Sequence, residues 1–170
     1  MSRHFPYLFL LIVISECSTT KRTTALWVAA DPTDQSSAPE VLPTDFSLYR
    51  LDVDLLVNSL KEVGSDEDHG LFVQFPDPDG NMNSFKLWKS SVVSEGLLEK
   101  YPNLRAYRGF SITDGSNIRM ELPTEGMQAM VSAVGQIWFI APYDQEQQLY
   151  MTFYKSDYPS DHKFWEGRIK

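Results

Sequence analysis

The residues of this 170-residue chain best placed to do chemistry are the oxygen-bearing side chains of Asp77-Pro78-Asp79-Gly80-Asn81-Met82-Asn83. Carboxylate and amide oxygens at alternating positions suit a hard cation such as calcium. An EF-hand loop, however, needs glycine sixth and a bidentate glutamate twelfth. Counted from Asp77, Gly80 is fourth and Trp88 is twelfth, so the run is expected to be a hairpin turn. His4, His69 and His162 form no His-Glu-x-x-His pair that would set two ligands on one helical face. Gly-x-Ser-x-Gly is absent, and Cys17 is the sole cysteine. Gly109, Gly115, Gly126 and Gly135 stand singly, which gives no loop to cradle a phosphate. Asp66-Glu67-Asp68 is expected to be a solvated acidic loop. The sequence therefore predicts no catalytic residue, no metal ligand and no cofactor site. Trp88, Trp138, Tyr143, Tyr150 and Tyr154 would suit a carbohydrate platform, but at alternating strand positions they are first expected to pack across strands.

Composition limits what these residues can serve. Fifteen Lys and Arg against 23 Asp and Glu give a net charge of −8, which repels a polyanion and argues against a nucleic-acid partner. Aromatics make up 13%, which favours strands and a filled core. Residues 1–17 have the form of a secretory signal peptide: Arg3 and His4, then the ten apolar residues Phe5 to Ile14, then Ser15 and Cys17 at the −3 and −1 positions of a cut before Ser18. That apolar run is shorter than the roughly 20 residues a spanning helix needs. The expected location is secreted, periplasmic or cell-surface, with membrane contact only through this segment or through a lipidated Cys17. Glu16 stands where a lipobox wants a small residue, which weakens the lipidated alternative. Residues 18–45 hold Pro32, Pro39 and Pro43 and a lone apolar anchor, Leu26-Trp27-Val28, so a linker or strap is expected.

From residue 46 to 156 the pattern becomes regular. Phe46–Leu51 alternates as a strand does, and Asp52 can cap a helix whose Val53, Leu56, Leu60 and Val63 form one apolar stripe. Leu71–Phe75 and Phe85–Trp88 flank the Asp77 turn as a hairpin. A second short helix is expected over Ser94–Lys100, stopped before Pro102. Arg105–Thr113, Ile118–Leu122, Met127–Ala133, Ile137–Ile140 and Leu149–Tyr154 complete a run of strands with close turn signals. The expected fold class is α+β: predominantly antiparallel sheet, in hairpins and meander, with two short helices. Residues 157–170 form a polar tail carrying Phe164-Trp165.

Several runs occur in a distinctive order: Phe75-Pro76-Asp77-Pro78-Asp79-Gly80, Phe85-Lys86-Leu87-Trp88, Lys100-Tyr101-Pro102 through Tyr107 and Gly109, and Trp138 to Pro142-Tyr143. In that order they resemble the N-terminal propeptide-like region of secreted reprolysin-type (adamalysin-like) zinc metallopeptidases, Bacteroidetes-like ones especially. The likeness spans about Leu48–Tyr154 and implies a strand-rich, non-catalytic domain. Such a domain would chaperone its protease or occlude the cleft, in cis or in trans. The family's zinc-binding helix lies beyond this region, so no family catalytic or metal residue carries onto this chain. The resemblance leaves open a fragment of a longer gene or a free-standing relative, with residues 157–170 as a tether toward the protease. With Cys17 cleaved away, inhibition would be steric or through contacts other than a thiol. A cell-surface module for a peptide or glycan is the alternative expectation.

Overall fold

Alternation of apolar and polar side chains makes most of this chain strand. In Asn117–Leu122, Ile118, Met120 and Leu122 are buried while Asn117, Arg119 and Glu121 are exposed. A computed structural model describes residues 25–31, 38–90, 104–123 and 126–159. In chain order the elements are β1 (Trp27–Ala29), β2 (Ser47–Leu51), α1 (Val53–Leu60), β3 (Leu71–Pro76), β4 (Met82–Lys89), β5 (Arg105–Ser111), β6 (Asn117–Leu122), β7 (Gln128–Ala133), β8 (Gln136–Asp144) and β9 (Leu149–Tyr154).

The strands form one sheet in the order β1-β2-β9-β8-β7-β6-β5-β4-β3, with every neighbouring pair antiparallel. The seven strands β3 to β9 are a simple meander, and β2 returns to pair with β9. The sheet curls into a nearly closed barrel. Side chains, not a backbone ladder, bridge the remaining seam between β3 and the β1–β2–β9 side. Trp27 Nε1 donates to the Gln74 carbonyl at 2.8 Å, Thr152 Oγ1 to that of Pro76 at 3.4 Å, and Ser47 Oγ to that of Pro78 at 3.0 Å. Pro76 has no N–H to leave unpaired, which suits a strand at an edge.

The interior is a continuous apolar cluster that includes Tyr49, Phe75, Phe85, Leu87, Tyr107 and Met120. Trp27 lies among them, edge-on to Tyr49 and Tyr150 with centroids 6.4 and 5.9 Å away. Helix α1 joins this cluster through Leu56 and Leu60, and Val63 follows them beyond the helix end. Asp52 caps the helix by accepting from the Leu55 N–H at 2.9 Å. A second apolar layer lies on the opposite face of β2, β9 and β8, where Leu48, Phe139, Tyr143, Met151 and Phe153 are buried. Leu42, Phe46 and Tyr158 cover it; Phe46 stacks on Tyr143 at 6.0 Å and Tyr158 on Phe153 at 5.6 Å.

The antiparallel, hairpin-rich architecture agrees with the sequence reading. The two expected helices are not found as a pair: among the described residues there is one α-helix, with a 3-10 turn at Lys155–Asp157. The helix expected over Ser94–Lys100 lies outside the described residues. Strand β1 falls within the segment expected as a linker or strap, because its sequence offers one buried side chain, Trp27, followed by exposed Val28 and Ala29. Strand β8 runs past the expected Ile140 to Asp144, since Ala141 and Tyr143 bury their side chains in the outer layer.

Candidate functional site

Large apolar side chains fill the barrel, so polar chemistry concentrates at one hairpin tip and on one outer face. At the tip, the Asp77 carboxylate is engaged by its own turn. Oδ1 accepts from the Asn81 N–H at 2.8 Å, and Oδ2 accepts from the Asn81 and Asn83 amides at 3.1 and 3.0 Å. The Gly80 N–H donates to the Asp77 carbonyl at 3.2 Å, and Gly80 has φ +92°, a conformation that favours glycine. The expected turn is therefore present, with Asp77 as its organising acceptor. Asp79 points elsewhere and accepts from Tyr154 Oη at 2.7 Å. Burial first, then this bond and the Asp79 charge, push the Tyr154 pKa up to about 12.

The remaining polar candidates are dispersed. His69 is exposed and pairs with Asp66 at 2.7 Å; that hydrogen bond lowers the Asp66 pKa and raises that of His69. Glu67 and Asp68 are exposed in the same loop, as expected of a solvated acidic run. Among the described residues, no three His, Cys, Asp or Glu side chains gather as a metal-binding group. His4, His162, Cys17 and Ser18 lie outside the described residues. Of the five aromatics, Trp138, Tyr143 and Tyr150 are buried, while Trp88 and Tyr154 are half-buried. They do not share a platform: Trp138 and Tyr150 belong to the interior cluster and Tyr143 to the outer layer.

The outer face of β4, β5 and β6 is different in character. Register places Lys86 opposite Phe110, Trp88 opposite Arg108, and Arg108 opposite Arg119. The Trp88 and Phe110 rings meet edge to face at 5.8 Å, and the Arg108 guanidinium carbon lies 5.7 Å from the Trp88 ring centroid. Phe72 on β3, opposite Lys86, is 53% exposed and extends the apolar part of the strip. Three cations interleaved with aromatics thus share one face of an acidic protein. Sequence reasoning missed this group. The alternating pattern marks β5 and β6 each as a strand, but only their register sets Arg108 beside Arg119.

No family model, no curated protein and no solved structure matches the chain. None of these comparisons bears on the expected resemblance to reprolysin propeptide regions, which is carried by the quoted landmarks alone. Where these fall on described residues, several serve the fold. Asp79-Gly80 lies in the β3–β4 turn, and Gly109 lies where a Cβ would collide with the Lys86 carbonyl oxygen. Pro142-Tyr143 adjoins a register irregularity in β8.

Proposed function

We propose that this chain is a non-catalytic binding domain, a propeptide-like module that engages a reprolysin-type zinc metallopeptidase and either assists its folding or occludes its cleft. The observation that carries the reading is how the side chains are apportioned. Close-packed apolar groups occupy the barrel interior, whereas the outer face of β4–β6 presents Lys86, Arg108 and Arg119 beside Phe110 and the half-buried Trp88, which also packs against the interior cluster. Aromatics and arginine are the residue types enriched where proteins meet proteins. A secreted or cell-surface setting accompanies this reading, through the signal segment at 1–17.

Titration of the chain into a reprolysin-type catalytic domain tests it, with peptide hydrolysis and complex formation followed together. Saturable binding with either a lowered turnover rate or an increased yield of refolded protease supports the reading. Absence of binding across several such proteases would leave the cell-surface peptide or glycan module in its place.

A further inference from the structure

We propose that the outer face of β4–β6 is a docking surface for an acidic protein segment, with a carboxylate seated between Arg108 and Arg119. The two arginines are direct cross-strand partners. Like charges placed opposite one another in an antiparallel pair are destabilising. Both side chains are exposed, and among the described residues neither has a carboxylate at ion-pair distance. Arg108 leans onto Trp88 of β4, the strand on the side away from Arg119. Lys86 adds a third cation on this face, two residues along β4 from Trp88. Glu121, also exposed and opposite Ala106, lies beside this group without an ion pair to it among the described residues.

A guanidinium fork matches a carboxylate in geometry and charge, and a ligand carboxylate here would relieve the Arg108–Arg119 repulsion. The aromatics select among anions. Trp88 already has Arg108 over its ring and Phe110 in edge-to-face contact with it, so it does not offer an open platform for a base or a sugar. Phe72, Trp88 and Phe110 instead give half-buried or exposed apolar surface beside the cations, which suits a segment that mixes Glu or Asp with apolar residues. The net charge of −8 disfavours a long polyanion but adds only a small penalty for two or three carboxylates. This inference rests on the reading of the chain as a protein-binding domain and is independent of which protease it engages.

The probe is a labelled synthetic peptide of alternating glutamate and tyrosine, with a glutamine-for-glutamate control, titrated against the full chain by fluorescence anisotropy. Arg119→Glu separates the site from the fold, because it converts a repulsive cross-strand pair into an attractive one. The expected result is an unfolding midpoint that stays level or rises while peptide affinity falls by about tenfold or more. Arg108→Gln should weaken binding in the same direction, and added salt should weaken it for the wild type. Equal affinity for the glutamine control, or unchanged affinity in both variants, would overturn the proposal. So would tighter binding of a single-stranded oligonucleotide or of heparin, which would assign the face to another class of ligand. The protease titration reads separately: protease bound with unchanged affinity by Arg119→Glu would leave the binding-domain reading standing and remove this surface from it.

Discussion

Gly109 shows how a single side chain can be forbidden by a neighbouring strand. It lies in β5 opposite Leu87, and a Cβ there would collide with the Lys86 carbonyl oxygen and come within 2.9 Å of a Leu87 methyl. The first of these neighbours is backbone and cannot swing aside. Gly109→Ala should therefore lower the denaturant midpoint sharply, by about 1–3 kcal/mol of overpacking strain; an unchanged midpoint would mean that β4 and β5 can part there at little cost. Tyr154 sets a different kind of limit. Its folded-state pKa is raised to about 12 from an ordinary value of 10.0, so the neutral phenol is favoured by folding. That stability is fully present below pH 10 and is lost as pH climbs toward 12. Burial raises Tyr49, Tyr107 and Tyr150 in the same direction. Thermal melts between about pH 9 and 12 should show an alkaline fall in midpoint that is shallower in Tyr154→Phe; identical slopes would remove Tyr154 from the account.

At the scale of elements, the seam is where this sheet depends on side chains. Trp27 Nε1 is the donor that ties β1 to the Gln74 carbonyl, and its ring packs on Tyr49, Phe75 and Tyr150. Trp27→Phe keeps an aromatic ring and removes the donor. The expected cost is about 1–3 kcal/mol, accompanied by faster amide exchange along β3. A lowered midpoint with β3 exchange unchanged would show that ring packing, and not the seam bond, holds β1. The elements also show how far local pattern reaches. Val53, Leu56 and Leu60 announce α1 through helical spacing, and Asp52 announces its start. β1 has no such announcement, because three residues with one buried side chain carry no period. Its strand character comes from pairing with Tyr49, Arg50 and Leu51.

For the whole molecule, the costly step is joining β2 to β9. Ser47 to Arg50 pair with Leu149 to Thr152, so α1 and the strands β3 to β8 lie between the partners. The loop entropy of that closure must be met before its contacts repay it, whereas each hairpin of the meander closes locally. Leu51→Ala, which removes a fully buried side chain of β2, should then act chiefly by accelerating unfolding, while Met120→Ala in β6 should also slow folding. Chevron plots of the two variants distinguish this order; a slowed folding limb for Leu51→Ala would put the β2–β9 closure in the folding nucleus.

Much of this molecule follows from neighbours in the chain. Ile118, Met120 and Leu122 alternate with Asn117, Arg119 and Glu121, and that period alone commits β6 to a strand with one buried face. The turn is equally local, since its acceptor, donors and glycine all lie between Asp77 and Asn83. The cover of Leu42 and Phe46 over β8 and β9, the Trp27 seam and the Arg108–Arg119 pair are not local. A slip of one residue between β5 and β6 would turn the side chains of one strand to the other face. Register is selected by the packing of the whole barrel, in which Tyr107 meets Met120 and Gly109 meets Ile118 inside. Arg108 and Arg119 are brought together outside as a consequence of that inner fit. The periodicity of a strand is a property of its own residues, but the partner opposite each side chain is settled by the summed burial of strands distant in sequence.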